Sequence, residues 1–176
     1  MSTGRDFLDE LSRLSRQQVA WRALVVLAAG LSVGVHTVAG AGPHPVFVVG
    51  ATLLAVLTAL LPDSAAGLFL VVLLGANWLL GVPEQTGGWL LVAALLLATV
   101  HVAATLAAYG PPGLDLDRVL LALWTQRAGL LLAATAAAWA AAILLPSAES
   151  WGRLWLPGAA LAVLTGWAWH LGRRVG

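Results

Sequence analysis

The sequence predicts an all-α, polytopic membrane protein. It should be a bundle of about six transmembrane helices with an amphipathic interfacial helix at the N-terminus and a second one before span five. Three observations carry that prediction. The 176 residues are 60% hydrophobic and 10% charged, with a mean hydropathy of +0.90, whereas a soluble domain carries about 25% charged residues. So little polar chain could not cover so apolar a core against water, so the bulk solvent is lipid. The apolar residues also fall into six runs of near-spanning length, and Pro- and Gly-rich breaks separate the runs.

The first element is polar. In "TGRDFLDELSRLSRQQV", residues 3–19, Phe7, Leu8, Leu11 and Leu14 take one face of a helix, and Arg5, Asp6, Asp9, Glu10, Arg13 and Arg16 take the other. Thr3 and Asp6 resemble a capping box. Asp9 and Arg13 are spaced to pair weakly. Residues 1–20 therefore read as a helix lying on the cytoplasmic membrane surface; a helix that binds a partner is the alternative. The candidate partner or membrane-surface face comprises Phe7, Leu8, Leu11, Leu14, Arg13 and Arg16, with Trp124 further along the chain.

The six spans lie near 21–41, 45–61, 65–82, 88–109, 127–146 and 154–172, in a transmembrane domain covering 21–176. About 20 apolar residues cross the roughly 30 Å of hydrocarbon, so the second and third spans are short. The breaks are "GPHP" at 42–45, "PDS" at 62–64, "PEQTGG" at 83–88, "GPPG" at 110–113 and "PSAES" at 146–150. "AGA" at 39–41 has the small residues of a signal cleavage site, but the polar region before span one is too long and five more spans follow, so cleavage is not expected. Before span five, "GLDLDRVLLALWTQR" gives a second interfacial helix over 114–126, with Asp115 or Asp117 as N-cap. If it continues into span five, the helix is too long to be all membrane, and Gly129 is a bend candidate.

Arginine placement sets the orientation. All nine basic residues are arginine. With both termini cytoplasmic, Arg5, Arg13, Arg16, Arg22, Arg118, Arg127, Arg173 and Arg174 lie inside and Arg153 outside, as the positive-inside rule requires. Trp21, Trp89, Trp151, Trp155, Trp167 and Trp169 stand near span ends as an aromatic belt, with Trp78 as a further candidate. An all-arginine basic set with excess Ala, Gly and Leu indicates a GC-rich, bacterial genome, hence the bacterial cytoplasmic membrane.

An echo raises the question of a repeat. "VHTVAGAGP" ends span one and "VHVAATLAAYGPP" ends span four; "LLPDSAAGLFL" and "LLPSAESWGRLWL" follow in the same order. Three spans used twice would make an inverted 3+3 repeat, an arrangement that builds many transporters. Chance recurrence in a chain of few residue types is the competing explanation.

The spans carry few polar side chains, and those are the candidate intramembrane site: Ser32, His36, Asn77, His101 and Thr105. A polar group in hydrocarbon must be partnered, so these should face other helices. His36 and Asn77 lie at similar depth and could pair. Either histidine could relay a proton or touch a substrate, or could simply be a neutral packing residue bonded to a hydroxyl or carbonyl. No Asp, Glu or Arg sits in mid-span, which lowers the expectation of ion-coupled transport. There is no cysteine, no zinc-binding His pair, no nucleophile elbow and no phosphate loop, so no enzyme, cofactor or metal site is expected. A net charge of +1 offers no footprint for nucleic acid. The expected partners are the lipid bilayer and another membrane or cytoplasmic protein subunit. The first functional expectation is a non-enzymatic subunit or scaffold that docks a cytoplasmic partner. The alternative is a small transporter or channel lined by the intramembrane His and Asn residues.

Overall fold

A computed structural model describes residues 14–42, 44–82, 87–109, 113 and 115–144. The N-terminal amphipathic segment up to Arg13 and the sixth span lie outside the described residues. The described chain is helical: α1 Arg16–Val38, α2 Pro45–Leu60, α3 Ala66–Gly81, α4 Gly88–Ala108 and α5 Arg118–Leu144. By length and composition, α1, α4 and α5 are long and apolar enough to cross a membrane. α2 and α3, at 16 residues each, are about 24 Å long at 1.5 Å per residue, short of a full hydrocarbon core.

Local chemistry sets the boundaries. α1 begins before residue 21 because the Ser15 hydroxyl accepts the Gln18 N–H at 3.2 Å and caps it there. The polar Arg16, Gln17 and Gln18 thereby become the first turn of a helix long and apolar enough to cross a membrane. α1 ends in a Schellman motif. The Ala41 N–H donates to the His36 carbonyl at 3.0 Å and the Gly40 N–H to the Thr37 carbonyl at 3.2 Å. Gly40 takes φ 98°, which a residue with a Cβ adopts only under strain. α2 starts on Pro45, whose fixed φ suits the first helical position and whose missing N–H costs nothing there. Residues 61–65 reverse the chain into α3, with the Ser64 hydroxyl donating to the Leu61 carbonyl at 2.6 Å.

The last helix differs from the two pieces expected at 114–126 and 127–146. Residues 115–117 are non-helical, and a single helix of 27 residues follows, about 40 Å long, unbroken at Gly129. The reason is that residues 118–144 contain no proline. One glycine costs about 1 kcal/mol of propensity but leaves the hydrogen-bond ladder intact. Asp117 stands just before the helix, and its carbonyl accepts the Leu121 N–H at 2.9 Å.

Two compact units divide the chain, Met1–Leu132 and Ala133–Gly176. In the first, α1 to α4 form a four-helix arrangement. α1 packs on α2 and most extensively on α4, while α3 closes the ring between α2 and α4. The core is a band of Val25, Ala28, Ala29, Ala51, Ala55, Leu70, Leu74, Val100 and Ala103. Alanine on three of the four helices lets backbones approach closely. α3 contributes the larger Leu70 and Leu74, one turn apart. Of the second unit, residues 133–144 are described, and they form the last turns of α5.

Candidate functional site

The buried polar groups of the first unit collect at the two ends of the bundle. At one end α1 and α3 finish and α2 and α4 begin. His36 is 1% exposed and sits in the last turn of α1. Its Nδ1 accepts the Asn77 amide Nδ2 from α3 at 3.0 Å. Its ring stacks on Phe47 of α2, centroids 5.6 Å apart, and tilts against Trp78 of α3 at 5.3 Å. Ser32, fully buried, lies one turn earlier on the same face of α1. A small apolar cluster of Ala41, Trp78, Val82 and Ala93 packs beside them. His36 thus reaches its place through three helices, and the Schellman end of α1 folds Ala41 into the same cluster.

Satisfaction is incomplete here. His36 Nε2, Ser32 Oγ and Trp78 Nε1 are buried with no hydrogen-bond partner. Elsewhere in the helices Thr37, Thr52, Thr58, Thr99, Thr105 and Thr125 each donate to the carbonyl four residues back. Ser32 does not. An unsatisfied buried donor or hydroxyl costs about 1–3 kcal/mol; three such groups meet here, and Gln18 Oε1, Trp21 Nε1 and Trp124 Nε1 are in the same condition at the other end of the bundle.

The opposite end is a polar clamp built mainly from the first turns of α1. Gln18, 1% exposed, donates its amide Nε2 to the Tyr109 carbonyl at the end of α4, 3.0 Å away. Arg22 donates through one guanidinium nitrogen to the Ala59 and Leu60 carbonyls at 2.9 and 3.4 Å, closing the C-terminus of α2. Gln17 accepts the Leu116 N–H at 2.6 Å. The Tyr109 ring meets Trp124 of α5 edge-on at 5.7 Å, and the Arg127 guanidinium lies 5.6 Å over the Trp124 ring. Trp124 is therefore half-buried in a cation–π and aromatic stack rather than standing free on the surface.

The candidate residues fall into three groups. Ser32, His36 and Asn77 come together. His101 does not join them: it is exposed on the outside of α4, and Thr105 donates to its backbone carbonyl at 2.8 Å, not to its ring. Of the candidate surface face, Leu14 is half-buried and Arg16 exposed, while Phe7, Leu8, Leu11 and Arg13 lie outside the described residues. Trp78 leaves the aromatic belt suggested for it and is 4% exposed against His36. Phe47, Gln17 and Gln18 have no counterpart among the residues read from sequence, and Trp78 is expected there only as a belt residue. The clue for the glutamines is that they precede Arg22 by about one turn, where a span was expected to be starting. Among the described residues, no three His, Cys, Asp or Glu side chains gather as metal ligands. The chain matches no protein-family model, no curated protein and no solved structure.

Proposed function

We propose that this chain is a non-enzymatic membrane subunit or scaffold of the bacterial cytoplasmic membrane, with six spans and both termini cytoplasmic, that docks a cytoplasmic partner. The observation that carries this reading is the apolar waist of the bundle. Between the Gln18–Arg22 clamp and the Ser32–His36–Asn77 cluster, the buried side chains are Val25, Ala28, Ala29, Ala51, Ala55, Leu70, Leu74, Val100 and Ala103. An ion or polar solute crossing through the interior would lose its hydration there without replacement. The inverted repeat is not carried into the proposal, because His36 is buried and its counterpart His101 is exposed.

A small transporter or channel lined by His36 and Asn77 is the second reading, favoured by the unmet polar atoms around His36. One preparation separates the two. Vesicles reconstituted with the purified chain and loaded with a pH-sensitive dye should leak protons no faster than protein-free vesicles. A leak abolished by His36→Phe would overturn the scaffold reading. In native nanodiscs, particle mass should reveal a second polypeptide at fixed stoichiometry. That mass should be lost when residues 1–13 are deleted.

A further inference from the structure

The docking role makes no use of the cluster at the His36 end. With the Asn77 Nδ2 group donating across the 3.0 Å contact, His36 Nδ1 is the acceptor and the ring proton lies on Nε2. That Nε2–H is buried and unpartnered. The Trp78 Nε1–H, on a ring 5.3 Å from the imidazole, and the Ser32 hydroxyl one helical turn away are in the same condition. The cluster therefore offers two N–H donors and a hydroxyl. Among the described residues, the side chains packed around it are neutral: Asn77, Phe47, Ala41, Val82 and Ala93.

This chemistry selects its ligand. An anion would sit among apolar neighbours with no cation among the described residues to compensate it. A metal ion would need lone pairs, and in this tautomer the ring nitrogen not facing Asn77 holds the proton. We infer that Ser32, His36 and Trp78 form a binding site for a neutral oxygen acceptor, held by His36 Nε2–H with the Ser32 hydroxyl and the Trp78 N–H as further donors. The site is two residues from the last helical residue of α1, Val38, and so near the level of the membrane interface. Two neutral oxygens are abundant there, water and the ester carbonyl of a phospholipid. Both present the same acceptor to His36.

Solid-state NMR on the intact chain, labelled with 15N-histidine in dioleoylphosphatidylcholine bilayers carrying 13C at the ester carbonyls, tests the inference. The His36 signals are assigned by their loss in H36F, or in H36Q if H36F does not fold. The expected result is a protonated Nε2 that receives polarisation from water protons, which identifies water. If the transfer comes from lipid carbonyl carbon instead, it identifies lipid. In S32A the transfer is lost. A bare Nε2 with the proton on Nδ1 overturns the inference, as does a protonated Nε2 receiving nothing from either source.

Discussion

His36 owes its tautomer to one amide. Asn77→Leu removes the acceptor contact and strands Nδ1 in an apolar site, which costs about 1–3 kcal/mol. A lower midpoint of thermal unfolding in detergent micelles is the expected outcome, and an unchanged midpoint would show that the pair contributes nothing to stability. Gly40 acts on the same cluster through the backbone. With φ at 98°, Gly40→Ala should destabilise by about 1 kcal/mol, again read from the unfolding midpoint, because the turn carries Ala41 onto Trp78 and Val82. The partner of each polar residue is only partly readable from spacing. The depth match of His36 and Asn77 follows from counting residues along their spans. That Trp78 and Phe47 sandwich the imidazole depends on helix rotation, which weakly amphipathic, almost uniformly apolar helices do not encode.

Helices in lipid end where their carbonyls find donors, and α2 illustrates the rule. Its last carbonyls lie at the bundle's polar end, and Arg22 from α1 covers two of them. Arg22→Met keeps the length and removes the donors. Amide hydrogen exchange over residues 57–61 should then rise at least severalfold, since charged hydrogen bonds contribute about 1.5–3 kcal/mol; unchanged exchange would mean that water caps α2 equally well. The starts and stops of α2, α3 and α4 are legible because Pro and Gly mark them. The start of α1 is less so, since Gln17 and Gln18 look like surface residues until their partners, Leu116 and Tyr109, are known. α5 is legible as apolar but not as one piece, because Arg118, Thr125, Gln126 and Arg127 among leucines fit an interfacial helix and a helix continuing into the membrane equally well.

For the whole molecule, packing and topology are separate questions. The waist is alanine-packed, and Ala28, 2% exposed, has no room to grow. Ala28→Leu should cost about 1–3 kcal/mol through overpacking, seen as loss of the monodisperse peak in size-exclusion chromatography on heating. Gly67 is a second tight point, where an added Cβ would meet the Thr58 side chain at 3.3 Å. Topology can be tested cleanly because the chain has no cysteine. Single cysteines at Gly42 and Gly87, both with open space around the Cβ position, should react with a membrane-impermeant maleimide from outside the cell. Cysteines at Ser64 and Gly113 should react only after permeabilisation. The opposite pattern would reverse the orientation.

Composition and periodic breaks alone determine that this chain is helical and apolar enough for a membrane, because free energy in a membrane depends chiefly on how much apolar length each segment offers and where its backbone can stop. Which polar side chains meet is decided by the tertiary structure alone. Rotating α1 by one residue would turn His36 from Asn77 toward lipid at little cost in hydropathy, and the packing of α1 on α2 and α4, with the Gln18 and Arg22 hydrogen bonds, holds the rotation that buries it. The same packing leaves His101, equally polar and equally apolar in its surroundings along the chain, on the outside of the bundle.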